Sequence, residues 1–161
     1  NMPGLTKVWL KVETLEKLAK YPSIVGIKDS SGDLDYFGKI CQLKEVRPDW
    51  SIFIGPEHLL AQAVTLGADG GVNGGANVFP ELFVAACDAA LNGEEEKCHQ
   101  KMFQVNIFQA IYQVGTPGFR FITATKYALS HIGICNDYVV PPLRPFTDDE
   151  KKEIGRILSD I

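Results

Sequence analysis

Ile24-Val25-Gly26-Ile27-Lys28-Asp29 is a short β-branched, apolar run that turns polar only at its end. Such a run reads as a strand buried on both faces of a parallel sheet. Ser30-Ser31-Gly32-Asp33 follows as a turn, with Ser31 or Asp33 placed to cap the next helix. That helix is predicted from about Leu34 to Val46, with Phe37, Ile40, Cys41 and Leu43 facing inward. Upstream, Leu15, Leu18 and Ala19 share one face of a short helix over Thr14 to Lys20, ended by Tyr21-Pro22.

The same unit repeats downstream. Ser51-Ile52-Phe53-Ile54-Gly55 reads as a second strand, Glu57 to Leu66 as its helix, and Gly70-Gly71-Val72-Asn73-Gly74 as a third, glycine-rich strand. Pro80 to Leu91 is the third helix, with proline at its start and Gly93 past its end. The rhythm then breaks. Glu94 to Val114 reads as one long helix with Met102, Val105, Phe108 and Ile111 inward, and Phe119 to His131 as another. Asp137 to Phe146, with Pro141, Pro142 and Pro145, must be extended. A last helix runs to Ile161, opened by a capping box of Thr147 and Glu150. Residues 1–93 are therefore expected to form a βα part and residues 94–161 a helical extension.

Composition excludes several classes of function. The chain has 161 residues, is 45% hydrophobic and carries a net charge of −4, with no basic stripe to attract nucleic acid. No apolar run reaches the ~18 residues of a membrane span, and no signal peptide is expected. The four cysteines lack any CxxC pair. Apolar neighbours such as Ala85, Ala86 and Ile134 suggest buried thiols in a reducing, cytoplasmic compartment.

Three parallel strands with covering helices would leave both sheet edges open. Each strand also ends in small or polar residues: Lys28-Asp29-Ser30, Gly55-Pro56-Glu57 and Asn73-Gly74-Gly75. In a (β/α)8 TIM barrel the active site sits at those carboxyl ends. The expected fold is the last three βα units of such a barrel plus a C-terminal helical tail, completed by an N-terminal half.

Gly26-Ile27-Lys28-Asp29-Ser30-Ser31-Gly32-Asp33 closely resembles the Schiff-base lysine segment of the dihydrodipicolinate synthase and N-acetylneuraminate lyase family. Phe53-Ile54-Gly55, Gly67-Ala68-Asp69-Gly70-Gly71, Ala76-Asn77-Val78-Phe79-Pro80, Lys126-Tyr127-Ala128-Leu129 and Pro141-Pro142-Leu143 fall in the family's order. Asn1-Met2-Pro3 is similar to the family's Tyr-Asn-x-Pro segment without its tyrosine. The resemblance covers essentially all 161 residues and corresponds to the C-terminal half of a family member.

The resemblance implies a class I aldolase with Lys28 as nucleophile. Such an enzyme needs an unprotonated amine, whereas an ordinary lysine titrates near ~10.4. Desolvation disfavours the ammonium form, and Lys28 closes an apolar strand at the end facing a barrel mouth. The amine attacks the 2-keto carbon of pyruvate; the iminium makes C3 acidic, and the enamine adds to an aldehyde. No metal or other cofactor is implied, only the covalent imine on Lys28. The family's proton-shuttle tyrosine would stand just before Asn1, and its carboxylate-binding glycine-threonine loop also lies upstream. Tyr36 and Tyr112 do not match the shuttle position.

The remaining candidates bind substrate. Ser30 matches a hydroxyl that contacts substrate in the sialic-acid lyase branch, and it also starts a turn. Gly55 and Glu57 stand where that branch binds a polyhydroxyl substrate with a glycine and an acid. Glu57 equally suits the first turn of a helix, and His58 follows it. Val72 lies where the family offers a backbone carbonyl near pyruvate, with Asn73 and Gly74 beside it in what is also a tight glycine corner. Asn77 matches a structural asparagine.

The second substrate divides the family. Synthases usually carry an arginine, which binds a substrate carboxylate, at the position of Leu5 in Pro3-Gly4-Leu5-Thr6. Its absence favours a hydroxyl-rich aldehyde, a 2-keto-3-deoxy sugar acid or N-acetylneuraminate. Gly26 to Asp33 and Ala76-Asn77-Val78 look more like the synthase branch, which makes 4-hydroxy-tetrahydrodipicolinate from pyruvate and aspartate semialdehyde. A catalytically incomplete fragment or binding-only relative is the non-enzymatic alternative. The family pattern also implies a homo-oligomer, a dimer or tetramer.

Overall fold

β1 (Gly26–Asp29), β2 (Ser51–Ile54) and β3 (Gly70–Gly71) form one parallel sheet in the order β1-β2-β3. This computed structural model describes residues 1–116 and 120–161. Lys28 is in register with Phe53, and Phe53 with Gly70. Strand alternation therefore places Lys28 and Phe53 on one face, and Asp29, Ile52 and Ile54 on the other. The second face is the core: Asp29, Ile52 and Ile54 have no exposed surface.

Helices cover that face. α1 (Pro3–Thr6) and α2 (Val12–Leu18) precede the sheet, α3 (Leu34–Cys41) and α4 (Leu60–Thr65) follow β1 and β2, and α5 (Pro80–Leu91) follows β3. α6 (Glu95–Gln109), α7 (Arg120–His131) and α8 (Asp148–Ser159) make the tail. Phe37, Ile40, Cys41 and Leu43 are buried, as are Met102, Val105, Phe108 and Ile111. All belong to one hydrophobic cluster that also takes in Ile154 and Leu158 of α8. Phe108 holds the tail to the βα part through edge-to-face contacts with Phe79 and Phe83, centroids 5.9 and 6.2 Å apart, and packs edge-on against Tyr112 within the tail at 5.6 Å. Burying such a ring contributes about 1.5–3 kcal/mol.

Several boundaries differ from the predicted ones. α1 was not foreseen, and α2 starts at Val12 rather than Thr14. α3 tightens into a 3₁₀ turn at Gln42–Glu45, α4 is preceded by one at Glu57–Leu59, and α6 passes into one at Ala110–Gln113. Helix ends tighten this way because the first N–H groups and the last carbonyls of a helix lack α-helical partners. The third strand pairs only at Gly70 and Gly71. Beyond Val72 the chain leaves the ladder, and the Asn73 side chain instead bonds the Gly55 carbonyl. The predicted start of the helix at Phe119 lies outside the described residues, and α7 is described from Arg120.

β1 is not buried on both faces. Val25 is exposed, Ile27 is half-buried, and Lys28 is exposed. The Lys28 side is the inner face of a barrel of which this chain supplies three strands, and it is open here for that reason. The cysteine expectation also fails in part. Cys41 and Cys98 are buried, but Cys87 is half-buried and Cys135 exposed, in a loop whose neighbour Ile134 is exposed too. Among the described residues no helix is long and apolar enough to cross a membrane.

The predicted caps form. The Asp33 side chain accepts from Tyr36 N at the start of α3, and Gly93 takes a left-handed conformation (φ 68°) after α5. At α8, Thr147 and Glu150 make a reciprocal capping box, and Arg144 binds both Glu150 and Thr116. Thr147→Ala should cost about 1 kcal/mol in chemical denaturation. A change below a few tenths would mean that the cap does not hold this end of the tail.

Candidate active site

All seven residues singled out from the sequence, Lys28, Ser30, Gly55, Glu57, Val72, Asn73 and Gly74, line one cavity of about 780 Å³. It opens at the carboxyl ends of the strands, on the Lys28 face of the sheet. A somewhat larger groove of about 870 Å³, around Trp9 and Tyr36, contains none of them.

Gly55 shapes the floor. Its N–H donates to the Asp29 carbonyl at 2.7 Å, which sets it opposite Ser30. A Cβ on Gly55 would collide with Ser30 Oγ and lie 3.0 Å from Lys28 Cε. The lysine and serine side chains therefore lie across the backbone of β2, and only glycine permits that approach. Lys28 and Ser30 point the same way, as their spacing in a strand requires. Lys28 is exposed within this half of the barrel, and the desolvation expected of it belongs to the closed barrel.

Glu57 is 5% exposed. Its Oε1 accepts from the Gly75 N–H and, at 3.1 Å, from the Tyr112 hydroxyl. Its Oε2 is buried without a hydrogen-bond partner among the described residues. Burial pushes the Glu57 carboxyl above the usual carboxylate range, against the pull of the Gly75 N–H, the Tyr112 hydroxyl, the Gln109 amide and the Gly74 N–H. Burial, and then the charge of Glu57, push the Tyr112 phenol upward in turn.

Asn73 is buried, and its Nδ2 donates to the Gly55 carbonyl at 2.8 Å. It ties the ends of β2 and β3 together and has less side-chain surface to offer a ligand. Val72 is 53% exposed, and Gly74 leaves room beside Glu57 Oε1 and the Tyr112 hydroxyl. Asn77 holds the Gly74 carbonyl at 2.9 Å, a structural bond. His58 reaches the same cavity. Among the described residues no three His, Cys, Asp or Glu side chains gather to hold a metal ion.

Sequence reasoning missed three residues. Tyr112 and Gln109 line the cavity from the end of α6. Tyr112 follows Phe108 by four residues, so the inward face of that helix could have been extended to it. Asp29 is wholly buried, with Asn1 Nδ2 2.8 Å from its Oδ1 and Ser31 Oγ 2.7 Å from its Oδ2. Its place after Lys28 signalled only that it faces the other way.

Comparison with known proteins places these observations in a family. The "Dihydrodipicolinate synthetase family" matches residues 1–161. A probable 2-dehydro-3-deoxy-D-pentonate aldolase of Escherichia coli K12 is 31% identical over 165 residues, covering 99% of this chain and 53% of that protein. The solved dihydrodipicolinate synthase of Bacteroides thetaiotaomicron is 41% identical with a TM-score of 0.94, over 100% of this chain and 54% of that one. YagE, a prophage protein of the dihydrodipicolinic acid synthase family from E. coli K12 solved in complex with pyruvate, is 25% identical. Its TM-score is 0.88, over 99% of this chain and 54% of that one. The chain thus spans about half the length of the relatives it matches, and its fold is part of a (β/α)8 barrel, three βα units followed by a helical tail. A family match over every residue, on a fold that gathers the lysine segment and both downstream strand ends around one cavity, makes this chain a member of the dihydrodipicolinate synthetase family.

Proposed function

We propose that the complete barrel containing this chain is a class I, Schiff-base-forming aldolase or lyase, with Lys28 as its nucleophile toward pyruvate. The observation that carries this is the placement of Lys28 across Gly55, at the mouth of a cavity lined by every other candidate residue. The amine adds to the 2-keto carbon and water leaves, giving an iminium. Loss of a C3 proton gives the enamine, whose C3 forms a bond to the aldehyde carbon. Hydrolysis of the imine releases product and restores the amine. Cleavage reverses these steps. Ser30 contacts the bound keto acid, and the backbone at Val72 to Gly74 approaches it closely. The N-terminal half of the barrel completes the site, and the assembly is a dimer or tetramer in the cytoplasm. Four free cysteines support a reducing location, and the pyruvate complex of the similar YagE supports the keto acid.

In this reading the second substrate is rich in hydroxyl groups: a 2-keto-3-deoxy sugar acid or N-acetylneuraminate in cleavage, or the matching aldehyde in condensation. Two observations support it. Leu5, 52% exposed, stands where a guanidinium would bind a carboxylate. Glu57 lines the cavity and is held through Oε1 by Gly75 and Tyr112, and a turn of its carboxylate toward Lys28 would let Oε2 accept from a substrate hydroxyl. The second reading is a synthase that condenses pyruvate with aspartate semialdehyde, favoured by the 41% identity to the B. thetaiotaomicron synthase. Turnover by the complete barrel separates them. Cleavage of a 2-keto-3-deoxy sugar acid without condensation of aspartate semialdehyde supports the first, and the reverse result establishes the second.

Glu57→Gln gives a further check. An acid whose folded pKa lies above its unfolded value contributes stability below the unfolded pKa, lost as pH rises through the folded one. The variant should therefore melt at higher temperature than the parent above that window, and the difference should close below about pH 4.5, the usual value for glutamate. KM for the hydroxylated substrate should rise about tenfold or more, as for loss of a hydrogen bond to a charged group. A lower melting temperature at neutral pH with unchanged KM would show that Glu57 serves the fold alone.

A further inference from the structure

The proposed reaction gives Tyr112 no task, yet its hydroxyl donates to Glu57 Oε1 at 3.1 Å. The two residues come from different parts of the chain. Glu57 opens the 3₁₀ turn before α4, and Tyr112 stands in the one that ends α6. Tyr112 is half-buried, and its ring packs edge-on against Phe108, which is wholly buried against Phe79 and Phe83. The aromatic group that fixes the tail to the βα part therefore also fixes the phenol. A side chain already held by packing loses little further entropy when it makes a hydrogen bond.

Glu57 Oε1 is gripped from two sides. The Gly75 N–H donates to it as well. A Cβ on Gly75 would collide with Phe83 and Phe108, so only glycine lets that N–H approach. A Cβ on Gly74 would lie 3.3 Å from Oε1 and 3.5 Å from the Tyr112 hydroxyl. Oε2, in contrast, has no hydrogen-bond partner among the described residues. The carboxylate thus has one oxygen fixed and one unbonded. A turn that keeps Oε1 on Gly75 and Tyr112 would offer Oε2 to the cavity. The Tyr112 hydroxyl also draws the Glu57 carboxyl down against the lift of burial, and Gln109 adds a weaker pull the same way. Both favour the ionised form, which accepts hydroxyl groups.

We infer that Tyr112 is a positioning residue that sets selectivity for a hydroxylated second substrate, by pinning Oε1 of Glu57 so that Oε2 can meet a substrate hydroxyl. The inference rests on the reading that Glu57 binds that substrate, and it gives the helical tail a part in the choice of substrate. Tyr112 acts only through Glu57.

The test uses the complete barrel with pyruvate and two aldehydes of equal length, glyceraldehyde with two hydroxyl groups and propanal with none. The readout is preference, kcat/KM for glyceraldehyde divided by that for propanal. Glu57→Ala should lower the parent's preference about tenfold, and Tyr112→Phe at least about fivefold, as for weakening a hydrogen bond to a charged group. Tyr112→Phe in the Glu57→Ala background should change it less than about twofold, because the carboxylate it positions is gone. A purely structural loss would lower both aldehydes together and leave the preference where it was. Melting and borohydride trapping of pyruvate show whether each variant is folded with its lysine end formed. If Glu57→Ala does not fold, Glu57→Gln takes its place, and the Tyr112→Phe effect should there fall by at least half. The inference alone is overturned if the Glu57 variant loses preference while Tyr112→Phe keeps it, or if Tyr112→Phe acts as strongly without the carboxylate as with it. A parent with no preference for glyceraldehyde, or a Glu57 variant that keeps the parent's preference, overturns the reading of Glu57 and this inference together.

Discussion

Lys28→Ala in the complete barrel should abolish both imine formation and turnover, with kcat/KM falling by at least about 10³-fold. Removing a covalent nucleophile leaves only binding and polar stabilisation, and losses of that size or larger follow. The fold should survive, because the core that packs on β1, with Asp29, Ile52 and Ile54, lies on the face opposite Lys28. An unchanged melting temperature with lost activity is the expected pair. Lys28→Arg should be as inactive as alanine, because a guanidinium stays protonated and cannot attack a carbonyl. Exogenous small amines offer a further check, since they could refill the space at the alanine variant and restore part of the activity. Turnover retained by Lys28→Ala would remove the basis for a Schiff-base mechanism at this site.

Gly55→Ala should lower kcat by about 100-fold while costing little stability. The added Cβ meets Ser30 Oγ and comes to 3.0 Å from Lys28 Cε. Lys28 can swing away cheaply, since its far end is flexible, but its amine is then displaced from the position that Gly55 allows. A misplacement of about 1 Å at a reacting atom costs about 10²-fold. Ser30→Gly in the same chain removes the closer of the two clashes and should recover part of the rate. Steady-state kinetics and melting of the single and double variants check this. Unchanged kcat in Gly55→Ala would mean that the lysine does not work from the position it holds across β2.

The features legible in sequence were those with a local signal. The apolar run before Lys28 marked β1, and the Thr147 and Glu150 spacing marked the cap of α8. The small and polar residues ending each strand marked the cavity, and all seven candidates do line it. Features that depend on distant pairs were not legible. Nothing near Glu57 indicates that a tyrosine 55 residues later will bind it. Asn1 and Asp29 are 28 residues apart and meet only because the chain before β1 pairs along its edge. The shortness of β3 follows from Asn73 bonding Gly55 rather than continuing the ladder. The desolvation expected of Lys28 needs the rest of the barrel over the inner face, which three strands do not provide. Cys135 looked buried beside Ile134, but both lie in an exposed loop after α7.

The central claim concerns one atom, the Nζ of Lys28. Incubating the complete barrel with pyruvate, reducing with borohydride and mapping the peptides by mass spectrometry tests it most directly. The account predicts a single reduced pyruvyl adduct on Lys28, lost in Lys28→Ala and formed without added metal. Turnover with no adduct, or an adduct on another lysine, would contradict it.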